Sequence, residues 1–137
     1  MAFELTVVDP ERIAWKGSAK DVVLGIDDGL YGIRSHHADA VMLLSPSILK
    51  ITTEADAQEK FFVSGGCVRI EKGIVTVLAN STETKDKIDV ERARKAAERA
   101  QGRLETPPKD IDHQRARLAL QRALTRLHFA EANVDNL

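Results

Sequence analysis

Arg92, Arg99 and Arg103 recur at spacings of seven and four with Lys95 beside them, and Arg115, Arg122 and Arg126 form a second such set. On helices each set makes a cationic face, and guanidinium forks match phosphate oxygens in geometry and in permanent charge. If the two segments fold against each other, the rows converge and a polyphosphate relieves their repulsion. The plain alternative is a solvated basic face with helical ion pairs such as Glu91 to Lys95, each contributing only about 0.2–0.5 kcal/mol. Spacing alone favours the plain alternative.

Other chemistry-bearing residues point to less. Gly65-Gly66 suggests a phosphate loop, but no GxxxxGK[ST] follows and no helix begins there, so a tight turn or bulge is expected. His36-His37 lacks a surrounding acid–histidine set, and consecutive strand residues point to opposite faces, so a polar loop contact is expected instead of a metal site. Cys67 alternates with Val68 and reads as a small core residue with no base to activate it. Ser64, Asp39 and His37 form no recognisable triad, so no catalytic residue is assigned.

Two kinds of element must position these residues. From Phe3 to about Leu78 the apolar residues alternate or form short β-branched runs broken by turn signals. Strands are expected over 3–7, 12–15, 21–26, 31–34, 41–44, 48–53, 60–64, 67–71 and 74–78, with hairpin turns at Asp27-Asp28-Gly29 and Lys72-Gly73. Short strands bury one face against a second sheet, which implies a β-sandwich. After Asn80 the period lengthens. Ala93, Ala96, Ala97, Ala100 and Leu104 share one helical face behind a capping Asp89, and Pro107-Pro108 forbids continuation. A second helix is expected from about Asp110 to Ala130, its stripe made of Ala116, Ala119, Leu120, Ala123, Leu124, Leu127 and Ala130. The fold class is therefore α+β: an N-terminal antiparallel β-sandwich (residues 1–84) followed by a C-terminal two-helix antiparallel hairpin (85–137). Alanine burial contributes little, about 0.8 kcal/mol per buried CH₂, so the hairpin is expected to be marginal by itself.

Composition narrows the function. The 137 residues are 43% hydrophobic and 30% charged, the make-up of a globular chain, with aromatics at 4%. Residues 1–84 carry 8 Lys/Arg against 12 Asp/Glu, and residues 85–137 carry 12 against 9, so the tail is basic and the front acidic. The single cysteine rules out an internal disulfide and CxxC chemistry. Glu4 interrupts the first apolar residues, so no signal peptide is expected, and no apolar run approaches the roughly 18 residues of a membrane span.

Several ordered motifs resemble one family, the ε subunit of F-type ATP synthases. Phe61-Phe62-Val63-Ser64-Gly65-Gly66 and Ile74-Val75-Thr76-Val77-Leu78-Ala79 are similar to its F-x-V-S-G-G … V-T-V-L-A stretch. Ile88-Asp89-Val90-Glu91-Arg92-Ala93 resembles its I-D-x-x-R-A helix opening, and 119–127 resembles its second helix. One stretch departs: Gly29-Leu30-Tyr31-Gly32-Ile33-Arg34-Ser35-His36-His37-Ala38-Asp39 stands where the family has G-E-L-G-I-L-P-x-H-A-P, and Pro46-Ser47 replaces Pro-Gly.

The resemblance implies a non-catalytic central-stalk subunit that couples rotation between the c ring and F1. Its implied partners are γ and the c ring, together with α/β when the hairpin extends to restrain ATP hydrolysis. It implies membrane association only through the complex, at the cytoplasmic face of a bacterial membrane. The altered loop, with Tyr31, Arg34, His36 and His37, is the implied c-ring/γ contact. No cofactor is obligatory, but some bacterial relatives bind ATP as a regulatory ligand. The matching positions are Glu83, Ile88, Asp89, Arg92, Ala93, Arg99, Arg122 and Arg126, the arginines facing phosphate. Two other classes compete. A nucleic-acid module would use the basic tail, but the front is acidic and aromatic stacking residues are few. A small β-sandwich enzyme is the third.

Overall fold

The computed structural model describes residues 1–106 and 112–131. The chain divides into two units, Met1–Thr84 and Lys85–Leu137. Pro107-Pro108 and the expected helix start at Asp110 lie outside the described residues.

The first unit is a β-sandwich of nine strands: β1 (Phe3–Val8), β2 (Ile13–Ile26), β3 (Gly29–Arg34), β4 (Ala40–Leu44), β5 (Ser47–Thr53), β6 (Gln58–Val63), β7 (Gly66–Glu71), β8 (Ile74–Ala79) and β9 (Thr82–Glu83). Hydrogen bonding runs in the order β4-β7-β8-β1-β2-β5-β6-β9, with β3 also on β2. Alternation does what period two dictates. Leu5, Val7, Val22, Leu24, Ile33, Leu49, Ile51, Val68 and Val77 are fully buried in one core, while Glu4, Arg34, Arg69 and Glu71 face out.

One departure from the expected strands has a clear physical cause. The segments 12–15 and 21–26 are the ends of one fourteen-residue strand, β2. Gly17 is not a turn residue: a Cβ there would lie 3.1 Å from the Trp15 ring, so glycine makes room for the indole. Beyond a bulge between Ala19 and Asp21, β2 pairs with β3, while its first half pairs with β1, so one strand serves both layers. The sandwich also holds one parallel pair, β1 with β8, beside its antiparallel ladders.

Local backbone chemistry sets the remaining corners. Lys72 and Gly73 both have positive φ, 52° and 77°, the geometry of a two-residue turn matched to strand twist. Gly66 carries φ 135° where β7 starts between β4 and β8, and a Cβ there would meet the Leu78 carbonyl oxygen at 2.1 Å. Gly65-Gly66 is thus a backbone crossing with no helix behind it. Ser47 is accommodated because its neighbour is Gly25, whose missing Cβ would sit 2.6 Å from the Ser47 Cβ. The Ser47 hydroxyl accepts from Gly25 N (3.2 Å) and donates to Ser45 O (2.8 Å), so this buried hydroxyl is paired in both roles.

The second unit opens with a 3-10 turn at Lys85–Lys87, followed by α1 (Val90–Glu105) and α2 (His113–Glu131). Asp89 caps α1 by accepting from Arg92 N at 3.0 Å, and Asp112 caps α2 by accepting from Arg115 N at 3.1 Å. At the far end of α1, Thr106 bonds back to the Gly102 carbonyl through both its backbone N–H and its hydroxyl. The helices pack on each other through small residues: Ala93, Ala97 and Ala100 are buried on α1, with Ala116 and Ala123 on α2. One stripe residue and one residue outside the stripe differ from expectation. Leu124 is 50% exposed, and Phe129, left off the stripe, is 2% exposed. The large ring buries where the alanine period does not lead.

Candidate functional site

Cationic side chains on α1 come together on one face. Arg92, Lys95 and Arg99, at i, i+3 and i+7, line a shallow groove of about 530 Å³ with Asp89, Glu91 and Glu98. Among the described residues that line it, three cations therefore face three carboxylates, and their charges balance. Glu91 pairs with Arg94 at 2.8 Å, one residue short of the Lys95 partner expected from the sequence. Both side chains are about half exposed or more, so this pair contributes little.

The α2 arginines are placed differently. Arg122 lines a second groove of about 320 Å³ with Asp112, Gln114, Arg115 and Leu118, and Arg126 is half-buried further along the helix. In this structure Arg92 and Arg99 share a groove, and Arg122 lies in another. Of the remaining nucleotide candidates, Asp89 spends one carboxylate oxygen on its cap. Ile88 and Ala93 are 8% and 4% exposed, and Ala93 belongs to the packed seam. Glu83 lies on β9, paired with Phe62 of β6.

The β3–β4 loop holds its two histidines in polar contacts of the kind that the sequence leads one to expect. His36 and His37 follow β3 in a turn, not in a strand, and His36 takes φ 63°. The His37 Nδ1 lies 2.7 Å from the Ala38 carbonyl, which only accepts, so Nδ1 carries the proton. In the neutral ring Nε2 is then the acceptor, and the Tyr31 hydroxyl donates to it at 2.5 Å. The two rings meet edge-on with centroids 5.7 Å apart. Tyr31 and His37 thereby hold each other, while Arg34 and His36 are exposed. Across the loop, Asp39 Oδ1 accepts from Lys72 N at 2.9 Å and ties it to the β7–β8 turn.

A further surface was missed from the sequence. On the outer face of the sheet, strand pairing sets Leu43 opposite Cys67, Cys67 opposite Leu78 and Leu78 opposite Val8. Leu43 is 75% exposed, and Val41, two residues earlier on the same strand, is 72% exposed. Cys67 is thus outward and half-exposed, not a core residue, because Val68 takes the inward position. Val8, Cys67 and Leu78 also line a groove of about 510 Å³ with Asp9, Pro10 and Asn80. A contiguous apolar surface of this kind marks a docking face. The signal that announces it is β4 itself, apolar at all five positions although only one of its faces meets the core.

At the rim of that groove Asp9 is held by hydrogen bonds. Its carboxylate accepts from Thr82 Oγ1 at 2.6 Å and from the backbone N–H groups of Glu11 and Arg12 at 2.9 and 3.1 Å. The Thr82 hydroxyl bond is the largest influence, and with the smaller backbone bonds from Glu11, Arg12 and Thr82 it outweighs desolvation and keeps the carboxyl below its ordinary value. Among the described residues, no group of three or more His, Cys, Asp or Glu is arranged to hold a metal ion, and no helix is long and apolar enough to cross a membrane.

Comparison with known proteins agrees with the two-unit layout. Residues 2–85 match the family of ATP synthase delta/epsilon chain beta-sandwich domains, and residues 86–131 match the delta/epsilon chain long alpha-helix domain. The ATP synthase epsilon chain of Brevibacillus brevis is 41% identical over 98 residues, covering 72% of this chain and 74% of that one. The epsilon chain of Carboxydothermus hydrogenoformans is 42% identical over 101 residues, covering 74% and 75%. In fold, the chain is similar to one in the Euglena gracilis mitochondrial ATP synthase, solved as OSCP, F1 and c-ring, with TM-score 0.78 at 21% identity over 90% of this chain and 78% of that one.

Proposed function

Because this chain belongs to the delta/epsilon family of ATP synthases, with relatives named as epsilon chains, we propose that it serves in the central stalk of an F-type ATP synthase as a non-catalytic subunit. There it couples rotation between the c ring and F1, and its helical tail restrains ATP hydrolysis. The observation that carries the reading is the contrast between its units. A firmly packed sandwich turns an apolar row, Leu43–Cys67–Leu78–Val8, to solvent, and a tail held by alanines carries cations on its outer faces.

The apolar row suits γ, since a stalk subunit needs one dry, permanent interface. The loop with Tyr31, Arg34, His36 and His37 suits the c ring, and the basic helices suit α/β when the tail extends. The membrane is then reached through the complex, at its cytoplasmic face. ATP acts as a regulatory ligand by binding the closed hairpin in preference to the extended one. The balanced charge of the α1 groove means that Arg122 and Arg126 must supply the surplus attraction for its phosphates.

Co-purification with γ tests the stalk assignment, and its absence under mild salt would overturn it. For the tail, a chain ending at Thr84 is expected to stay folded and stalk-bound while the assembled enzyme hydrolyses ATP faster; unchanged hydrolysis would show that the tail does not inhibit. Calorimetry of the isolated chain with millimolar ATP, against an Arg122→Ala/Arg126→Ala variant, tests the nucleotide reading. Heat that is absent, or identical in both proteins, would remove it.

A further inference from the structure

We propose that Asp9 and Thr82 form a latch that fixes the root of the helical tail, and so helps to set how readily the tail changes place. This rests on the reading that the tail is a moving regulatory part.

The last strand of the sandwich, β9, is only two residues long, with Thr82 opposite Val63 and Glu83 opposite Phe62. So short a strand has few ladder hydrogen bonds, and side chains must hold it. Thr82 donates its hydroxyl to Asp9 Oδ2 at 2.6 Å across 73 positions of sequence, and it is 7% exposed. One residue earlier, Ser81 Oγ donates to Ser64 Oγ at 2.7 Å, and Ser64 N donates to the Ser81 carbonyl at 3.2 Å. Asp9 is itself pinned, because its other carboxylate oxygen accepts from Glu11 N and Arg12 N, while Asp9 and Arg12 exchange backbone bonds in the β1–β2 turn. The anchor point is therefore a rigid turn, and the anchored residue lies two positions before the unit ends at Thr84. A hydroxyl-to-carboxylate bond is of the stronger, charge-assisted kind. Breaking it frees the segment through which any motion of the tail must start, while the sandwich core, built from β1 to β8, keeps its contacts.

The test uses the full chain with Thr82→Val, which keeps shape and removes the hydroxyl donor while the Thr82 backbone N–H still reaches Asp9, and Thr82→Ser, which restores the hydroxyl. Brief trypsin treatment reads cleavage after Lys85 and Lys87, and Trp15 fluorescence reads the melting of the sandwich. Thr82→Val is expected to be cut at least about tenfold faster at an unchanged Trp15 midpoint, with Thr82→Ser near wild type. Cleavage at the wild-type rate overturns the latch. So does faster cleavage that merely follows a lowered Trp15 midpoint, because Thr82 is then a stability residue of the whole sandwich.

The assembled enzyme separates this proposal from the reading beneath it. Hydrolysis altered by Thr82→Val, in the direction taken by the chain ending at Thr84, supports the latch as a regulator. If truncation alters hydrolysis and Thr82→Val does not, its regulatory role is overturned. If neither alters hydrolysis while trypsin still distinguishes the variants, the inhibitory reading of the tail falls, and with it the latch as a regulator.

Discussion

The two units of this chain are held together by different amounts of the same force. In the sandwich, Leu5, Leu24, Ile33, Leu49 and Ile51 are all fully buried, each removing a large apolar surface from water. The seam between the helices is closed by Ala93, Ala97, Ala100, Ala116 and Ala123, whose five methyl groups contribute on the order of 4 kcal/mol. Phe129 is the one large buried side chain of α2. A unit with a surplus of burial keeps its shape when a partner is removed. A unit near balance responds to caps, ligands and neighbours, which is what a regulatory tail requires.

The comparison breaks if a core truncation is mild. Leu49→Ala is expected to cost about 2–5 kcal/mol, read as a lower urea midpoint of the Trp15 transition. A loss below about 1 kcal/mol would mean that the sandwich repacks freely and is not the rigid partner.

It sharpens if the tail responds by itself. Asp89→Ala removes the α1 cap and is expected to cost about 1 kcal/mol. That is a large share of a marginal seam and nothing of the sandwich. Far-UV circular dichroism should lose helix at a lower temperature while the Trp15 transition stays in place. A shared shift of both signals would show the two units melting as one.

The smallest expected effect is confined to acid and concerns Asp9. A carboxyl whose folded value is depressed contributes fully above its unfolded value near 3.8, and that contribution is lost as pH falls through the lower folded value. The stability difference between wild type and Asp9→Asn should therefore be flat from neutral pH down to about pH 5 and shrink below about pH 4. A difference that grows on acidification would contradict the hydrogen-bonded carboxylate.

Much of the fold was legible because much of it is local. Alternation from Phe3 to Val7 marked a strand, Lys72-Gly73 marked a turn that two positive φ values then satisfied, and Asp89 marked a cap because its partner is three residues away. The Ala stripe of α1 likewise follows from the helical period. What was not legible depends on residues far apart in the chain. The segments 12–15 and 21–26 read as separate strands because nothing local says that the Trp15 ring lies across Gly17 and lets one strand run through. Cys67 read as core because alternation tells that two residues face opposite ways, not which of them faces in. Likewise, spacing left open whether the arginines of α1 and α2 converge or stay on solvated faces; in the packed helices Arg92 and Arg99 line one groove and Arg122 another.

By itself, then, the sequence determined the two units, their element types, the basic character of the tail and the family, since these rest on period, propensity and short ordered motifs. Only the tertiary structure decided the apolar row from Val8 to Leu43 and the latch of Asp9 on Thr82. Both are made by strand register across long stretches of chain, and register is set by the joint packing of every strand in the core.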